Sequence, residues 1–259
     1  MTERLLLGLL LSAVIGLAGY WRGALTPSGW LGAMFTGTLT FGFGGLNAAL
    51  LLVAFFVSSS LLTRYQAARK QTAAEVFAKT GRRDLGQVLA NGLVASLGAA
   101  VWALTASPIG YAALVGSLAA ANADTWATEL GVLAKSASRL ITTGRRVPAG
   151  TSGGVTLIGT LAAAGGAIFI GVIAALLQSD AAWIAVALIA GLIGALSDSV
   201  LGATVQGIYY SERRGGETER AIEVDGIANR LARGVRWIDN DVVNFAATLI
   251  GGVIGAWLV

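Results

Sequence analysis

Three acidic residues stand inside otherwise apolar stretches and are the first candidates for chemistry. Asp124 and Glu129 occur in Asn-Ala-Asp-Thr-Trp-Ala-Thr-Glu-Leu-Gly at 122–131, and Asp198 is flanked by serines. If these stretches span a membrane, such ionisable residues are costly there and are usually functional. Carboxylates with amide and hydroxyl neighbours are hard oxygen ligands, which suits Mg²⁺ better than a softer metal. We therefore predict a Mg²⁺ site that includes Asp124 and Asp198.

A further acidic group, Asp-Asn-Asp-Val-Val-Asn at 239–244, opens the last apolar run. Residues three and four positions apart lie on one face of a helix. Asp241, Asn244 and Thr248 therefore share a face. This pattern makes Asp241 the third predicted metal ligand.

The acidic residues of 122–131 do not all share one helix face. Asn122, Thr125 and Glu129 follow helical spacing, whereas Asp124 points elsewhere. Either the helix is distorted near Asp124, or its acidic residues serve two surfaces. The sequence leaves both alternatives open.

Two arginines precede a glycine-rich turn and then an apolar helix. Arg145 and Arg146 are followed by Gly150-Thr151-Ser152-Gly153-Gly154. Exposed N–H groups at a helix start attract phosphate, and arginine forks bind phosphate oxygens bidentately. We predict that this segment binds phosphate, although it is not a Walker A motif because no Gly-Lys-Ser/Thr follows.

The composition limits the chemistry that is available. The chain has no cysteine and no histidine, which excludes disulfides, thiol nucleophiles, zinc sites of the usual type and histidine acid–base catalysis. Any reaction must use carboxylates, amides, hydroxyls, basic side chains and the backbone.

Long apolar runs must position these residues. Hydrophobic residues make up 55% of the chain and charged residues only 12%, about half the charged fraction of a soluble domain. Residues 23–63, 85–123 and 147–179 contain no charge, and a spanning helix needs only about 20 apolar residues. We predict an all-α fold, a polytopic transmembrane bundle of about eight (seven to nine) helices that forms a single integral membrane domain over 1–259. The helices are expected near 4–20, 29–44, 46–63, 85–106, 109–132, 154–177, 181–208 and 240–258.

Basic residues set the predicted orientation. All but two of the 18 Lys and Arg residues fall in 64–83, 135–146 and 213–236. With the helices above, these segments lie on one side, which the positive-inside rule assigns to the cytoplasm. Asp124 lies 11 residues before Lys135, and Asp198 lies 15 residues before Arg213. At about 1.5 Å per helical residue, the two carboxylates lie roughly 16–23 Å from the basic segments, which allows a shared polar pocket open to the cytoplasm. Topology and anionic ligands explain the basic loops better than nucleic acid does.

Taken together, the motifs at 122–131, 150–156, 198–206 and 239–244 resemble those of a known membrane family. This family was long catalogued as a domain of unknown function, and it includes human transmembrane protein nineteen and plant phytyl-phosphate kinase. The resemblance covers essentially the whole chain. A more distant similarity, in the style of the acidic motifs only, links it to dolichol kinases and CDP-diacylglycerol synthases, which use CTP.

The resemblance implies a prenyl (phytyl or isoprenoid) monophosphate kinase of the cytoplasmic membrane, with its active site facing the cytoplasm. The partners would be a nucleoside triphosphate (CTP or another), a prenyl monophosphate and membrane lipid, with Mg²⁺ as cofactor, a homodimer as a possible assembly and no nucleic acid. The expected catalytic residues are Asp124, Asp198 and Glu129. The expected nucleotide- and phosphate-binding residues are Asn122, Thr125, Arg145, Arg146, Gly150, Thr151, Ser152, Gly153, Gly154, Thr156, Ser199, Gln206, Asn240 and Asn244.

Two other functions also fit the sequence. A lipid or isoprenoid-phosphate transporter or flippase would equally place carboxylates within broken helices near the middle of the membrane. A CTP-dependent membrane nucleotidyltransferase would use the same donors but would release pyrophosphate. A purely structural membrane protein would not need the clustered acidic motifs.

Overall fold

Helices account for most of the structure. The computed structural model describes residues 1–74, 76–79, 81–134 and 136–259, with 71–74 described by their backbone alone. Five helices in this part of the chain are long and apolar enough to cross a membrane, and the predicted all-α membrane bundle is confirmed. The helices are α1 (Thr2–Trp21), α2 (Pro27–Arg64), α3 (Ala67–Ala74), α4 (Leu85–Thr105), α5 (Pro108–Gly131), α6 (Leu157–Gln178), α7 (Ala182–Thr204) and α8 (Asn240–Trp257).

Helix α2 is a hairpin of two helical arms. Gly45 within it has a φ of 63°, a conformation that glycine adopts without steric cost. The chain reverses there, because Arg64 at the end of α2 donates a hydrogen bond to the carbonyl of Arg22, just before its start. The first arm is 27–44 and the second arm is 46–64. Counting the arms separately and leaving short α3 aside, the described residues contain the eight predicted long helices.

Helix α5 is central and packs against α2, α4, α6, α7 and α8. Its middle turns are buried on all sides; Leu118 and Ala119, for example, are fully buried. Small residues permit this packing: a β-carbon at Gly116 would lie 2.3 Å from the Gly251 carbonyl oxygen on α8. Close backbone approach of this kind is how membrane helices associate. The arrangement puts the acidic turns of α5 in the middle of the bundle.

Side-chain caps define where the helices begin at one end of the bundle. Asp84 forms a capping box with Gln87 at the start of α4, and Asp239 accepts a hydrogen bond from Val242 at the start of α8. Thr156 caps α6 by accepting a hydrogen bond from the Gly159 amide. Such caps satisfy amide groups that the first turn leaves unpaired. The predicted start of α6 at 154 therefore lies two residues before the capping residue Thr156.

Two small sheets accompany the helices, and the sequence did not predict them. The first has order β2-β1-β3 and the second β5-β4-β6, with every pairing antiparallel. The predicted helix 181–208 is too long, since α7 ends at Thr204 and Ile208 begins a strand. The strands are β1 (Ser138–Leu140), β2 (Arg146–Val147), β3 (Gly154–Val155), β4 (Ile208–Ser211), β5 (Gly216–Thr218) and β6 (Arg230–Arg233).

The three basic segments meet at one end of the bundle, as predicted. The Glu219 amide donates to the Val76 carbonyl at 3.0 Å, and Arg220 Nε donates to the Phe77 carbonyl at 3.1 Å. Ser152, just beyond the segment 135–146, also reaches Glu219. Residues 75, 80 and 135 of the predicted basic segments lie outside the described part of the chain. We refer to this end as the loop end.

Candidate functional site

A cavity of about 440 Å³ opens into the bundle from the loop end. Its walls come from α5, α7, α8 and the glycine-rich turn that precedes α6, together with parts of α2, α3, α4, α6 and the segment before α4. This cavity, hereafter the polar cavity, gathers most of the residues that the sequence singled out. Those that line it are Asp124, Thr125, Glu129, Gly150, Thr151, Ser152, Gly153, Gly154, Thr156, Asp198, Ser199, Gln206, Asn240 and Asn244.

Of the four carboxylates that line this cavity, three have no ion-pair partner among the described residues: Asp124 on α5, Asp198 on α7 and Glu219 in the loop after β5. Their charges lie close enough to repel one another. Oδ2 of Asp198 is buried and has no hydrogen-bond partner among the described residues. A buried charge without a partner is unfavourable in a low-dielectric site. Either protonation or a bound cation would neutralise such a charge.

Glu219 is a site residue that the sequence did not reveal. Its Oε1 accepts hydrogen bonds from Ser152 Oγ at 2.8 Å and Gln206 Nε2 at 3.0 Å, and Oε2 accepts one from the Ala78 amide at 3.2 Å. Burial raises the pKa of Glu219, and these hydrogen bonds only partly oppose that effect. In the sequence Glu219 stands in a loop rich in charges, where a solvated side chain is the ordinary expectation. No signal in its neighbours marks it out.

The glycine-rich turn closes one side of the polar cavity. Gly153 has a φ of 81° and packs against α7, where a β-carbon would lie 2.5 Å from Cβ of Ala203. The turn therefore requires glycine both for its backbone conformation and for space. Ser152 in the same turn binds Glu219, whereas Thr156 is occupied in capping α6.

Asp241, a predicted metal ligand, is paired with lysine. Lys79 forms ion pairs with Asp241 and, at 2.8 Å, with Asp84. Burial alone would lower the pKa of Lys79, but its bonds to the two aspartates outweigh burial and raise it. Lys79 lines the polar cavity, while Asp241 lies behind it with a buried Oδ1 that lacks a partner in the described structure. Asn244, one turn along α8, lines the cavity.

Glu129 lines the polar cavity but is already neutralised. Its carboxylate pairs with Lys70 at 2.6 Å and accepts a hydrogen bond from Thr63 at 2.7 Å. The side chain of Lys70 is only 8% exposed, so this ion pair is well shielded from water. The two acidic residues of α5 thus differ: Glu129 has a cationic partner, and Asp124 faces other carboxylates.

Helix α5 is continuous from Pro108 to Gly131, so Asp124 does not mark a break in the helix. Asp124 and Glu129 instead face two parts of one cavity. This resolves the two alternatives that the sequence left open. The wall of the cavity is wide enough to include both sides of the last turns of α5.

Three predicted phosphate-binding residues do not line the polar cavity. Asn122 is fully buried and joins three helices, since it accepts hydrogen bonds from Ser58 and Ser59 and donates one to the Gly166 carbonyl at 2.8 Å. Arg145 and Arg146 are exposed on the hairpin of β1 and β2. The glycine-rich turn that follows them in sequence lines the cavity without them.

The residues present are suited to Mg²⁺. No group of three or more acidic side chains in the described residues is close enough to chelate one ion. Mg²⁺ does not need such a group, because it is usually held by one or two carboxylates with water and substrate phosphates completing its shell. Asp124 and the unpartnered oxygen of Asp198 provide that donor set, with the amide oxygens of Asn240 and Asn244 nearby.

The fold and the site define a polytopic integral membrane protein with a cavity at one end of its helix bundle that is lined by carboxylates. The chain belongs to the family described as integral membrane protein DUF92, whose model matches residues 10–252.

Several curated proteins are similar over most of the chain. Protein PGR of Arabidopsis thaliana is 34% identical over 95% of this chain and 93% of its own length. The uncharacterized membrane protein MJ0933 of Methanocaldococcus jannaschii is 34% identical over 97% of this chain and 93% of its own. Protein VTE6, chloroplastic, of Arabidopsis thaliana is 27% identical over 89% of this chain and 64% of its own. No solved structure matches significantly.

Proposed function

We propose that this protein is a Mg²⁺-dependent prenyl monophosphate kinase. It would transfer the terminal phosphoryl group of a nucleoside triphosphate to a prenyl monophosphate, giving a prenyl diphosphate and a nucleoside diphosphate. The observation that carries the proposal is the group of Asp124, Asp198 and Glu219, whose mutually repelling charges have no ion-pair partner among the described residues. Such a group is suited to hold cations against polyphosphate.

Asp124 and Asp198 would hold Mg²⁺, which when bound supplies charge neutralisation to the phosphates. Asn240 and Asn244 at the start of α8 add neutral oxygen and nitrogen groups to the same wall. Lys79 and Arg83 line the cavity as cations. The turn 150–154, which precedes α6, lines the cavity. The amides of Thr151 and Gly154 already donate to the carbonyls of Pro148 and Thr151, so those of Ser152 and Gly153 would be the ones to bind phosphate oxygens.

The reaction requires little proton transfer from the protein. A phosphate monoester has a second pKa near ~6, so the acceptor is already mostly dianionic at neutral pH. Phosphoryl transfer then depends mainly on positioning and charge neutralisation. The absence of histidine from the chain is consistent with this chemistry.

The motif resemblance to the family of plant phytyl-phosphate kinase supports the substrate class. This chain covers less than two thirds of the length of VTE6. PGR and MJ0933 have a higher sequence identity to this chain than VTE6 does. The enzyme class is for this reason proposed from the site and the family together. By the positive-inside rule, the loop end would face the cytoplasm of a cytoplasmic membrane, where nucleotides are available.

The test is product analysis with purified protein in detergent or liposomes. Phytyl monophosphate, Mg²⁺ and each of four nucleoside triphosphates labelled at the γ-phosphate are incubated with it. The expected products are labelled phytyl diphosphate and an equal amount of nucleoside diphosphate. Release of pyrophosphate would instead identify a nucleotidyltransferase, and movement of the lipid across liposomes without a new phosphorus species would identify a transporter.

A further inference from the structure

A second cavity, of about 240 Å³, lies between α1, both arms of α2 and the start of α4. Its walls are almost entirely apolar, with Leu11 and Ile15 from α1, Phe41 from the first arm and Phe55 and Phe56 from the second arm. We refer to it as the apolar cavity. None of the acidic motifs contributes to it.

The apolar cavity adjoins the polar cavity. Arg83, Gln87 and Asn91, at and just beyond the start of α4, line both cavities. Gln87 and Asn91 are four residues apart on one side of α4, and Arg83 lies just before the N-cap residue Asp84. Arg83 is thus a cationic side chain at the junction, held by a hydrogen bond of 2.9 Å from its Nη1 to Ser60 Oγ. Burial lowers the pKa of Arg83, but a guanidinium remains charged at neutral pH.

The other end of the apolar cavity reaches the outer surface of the bundle. Four of its lining residues are large and apolar yet exposed: Leu11 at 41%, Ile15 at 39%, Leu46 at 63% and Leu50 at 41%. They belong to α1 and the second arm of α2, so the opening lies between these two elements. In a membrane protein this surface faces lipid chains.

We propose that the apolar cavity binds the hydrocarbon tail of the lipid phosphate substrate, with its phosphate at Arg83 in the junction. This inference rests on the proposed function and adds the place and orientation of the acceptor. One end of the passage is open to lipid, its walls are apolar, and its inner end carries the cation of Arg83, which also lines the polar cavity with Asp124 and Asp198. A single-tailed lipid phosphate matches this order of environments along its length. Each methylene that it buries contributes about 0.8 kcal/mol.

A substitution that fills the apolar cavity provides the test. Ala49 on the second arm lines this cavity, so Ala49→Phe places a ring in the path of the tail. The matched control is Val57→Phe on the same arm, at a position that is 45% exposed and does not line the cavity. Binding of phytyl monophosphate and of the short isopentenyl monophosphate is measured on purified protein, independently of turnover.

We expect Ala49→Phe to weaken phytyl monophosphate binding at least about tenfold, or about 1.4 kcal/mol, while isopentenyl monophosphate binding stays within about twofold. Val57→Phe should bind both probes as the unmodified protein does. Unchanged phytyl monophosphate binding in folded Ala49→Phe overturns the inference, even if the protein proves to be a kinase. Selective loss of tail binding supports it, even if no phosphoryl transfer is found.

A second measurement avoids substitutions altogether. Phytyl monophosphate that carries a diazirine at the tail end is photolysed on the unmodified protein, and the labelled peptides are identified by mass spectrometry. Labels on residues 8–16 and 46–56 that unlabelled phytyl monophosphate competes away support the tail site. Labels spread over lipid-facing positions of all helices, without competition, indicate ordinary bilayer contact and overturn it.

Discussion

Ser152 donates a hydrogen bond of 2.8 Å to Glu219, although the two residues lie 67 positions apart in the chain. The bond joins the turn before α6 to the loop after β5, and the Ala78 amide binds the same carboxylate from the segment before α4. Three separate loops thus converge on one partly buried carboxylate. Glu219 therefore connects the loops of the loop end to one another beside the polar cavity.

The carboxylates of Asp124 on α5 and Asp198 on α7 should be essential for activity. Asp124→Asn and Asp198→Asn keep the side-chain shape and remove the charge, so the thermal unfolding temperature should change little. Loss of a charge that holds Mg²⁺ should remove several kcal/mol of transition-state stabilisation, and each ~1.4 kcal/mol lowers the rate tenfold. Steady-state turnover of prenyl phosphate measures the effect. The matched control is Asp180→Asn, in the exposed turn between α6 and α7, which should remain fully active. Near-normal turnover of both Asp124→Asn and Asp198→Asn would show that these two carboxylates are not part of the active site.

Glu219→Gln should show whether Glu219 acts through its negative charge or through its hydrogen bonds to the neighbouring loops. The amide oxygen can still accept hydrogen bonds from Ser152 and Gln206, but the amide nitrogen cannot accept the one from Ala78, and the side chain cannot attract a cation. We expect turnover to fall by at least about tenfold, with a loss of stability of about 1 kcal/mol from the hydrogen bond to Ala78. Glu217→Gln removes an equivalent charge two residues away, from a side chain that is 46% exposed and paired with Arg233, and should alter turnover less than about twofold. Equal effects of the two substitutions would show that Glu219 acts only through the general charge of the loop.

The hairpin at Gly45 should depend on its glycine. Gly45 has φ 63° and ψ −156°, a region open essentially to glycine alone, so Gly45→Ala should destabilise the protein by about 1–3 kcal/mol. No neighbouring atom lies within 4 Å of the added β-carbon, so the cost comes from the backbone. Gly216→Ala also meets open space but at an ordinary φ and should be neutral within about 0.5 kcal/mol. Unfolding in detergent measures both; equal stability of the two variants would contradict the hairpin conformation.

The loop end should be accessible from the cytoplasm. Because the chain contains no cysteine, single cysteines introduced at exposed positions report their side of the membrane. Thr142→Cys and Glu212→Cys lie at the loop end, and Ala181→Cys lies in the turn between α6 and α7. An impermeant thiol reagent should label the first two variants only in inside-out vesicles and the third only in right-side-out cells. Labelling of Thr142→Cys and Glu212→Cys from opposite sides would contradict the arrangement.

The sequence identifies best those residues that conflict with their surroundings. Asp124 and Asp198 are conspicuous because a carboxylate in an apolar helix needs a reason, and both line the polar cavity. Glu219 is inconspicuous because its neighbours in sequence are charged, and only the folded loops bury it. Asn122 has the opposite character: it is polar within an apolar run, yet hydrogen bonds to Ser58 and the Gly166 carbonyl account for it fully.

Predictions from the order and spacing of residues are also wrong where a strand forms in place of an expected helix or loop. Arg145 and Arg146 precede the glycine-rich turn in sequence, but the pairing of Arg146 with Arg139 in the sheet leaves both of the adjacent arginines exposed. Ile208 continues an apolar run, and periodicity alone cannot separate a buried strand from the end of a helix. Chain reversal at Gly45, by contrast, was predictable because a charge-free run of that length exceeds what one spanning helix needs.

The first turns of α4 form part of the wall of both cavities, through Arg83, Gln87 and Asn91. Whatever shifts or rotates this helix therefore changes the shape of both cavities together. Thermodynamic linkage then makes the effect reciprocal: a ligand that alters the affinity of one cavity by a given factor has its own affinity altered by the same factor. A ligand that moves α4 would in this way couple the occupancy of the two cavities, and titrations of either ligand should be compared at a stated concentration of the other.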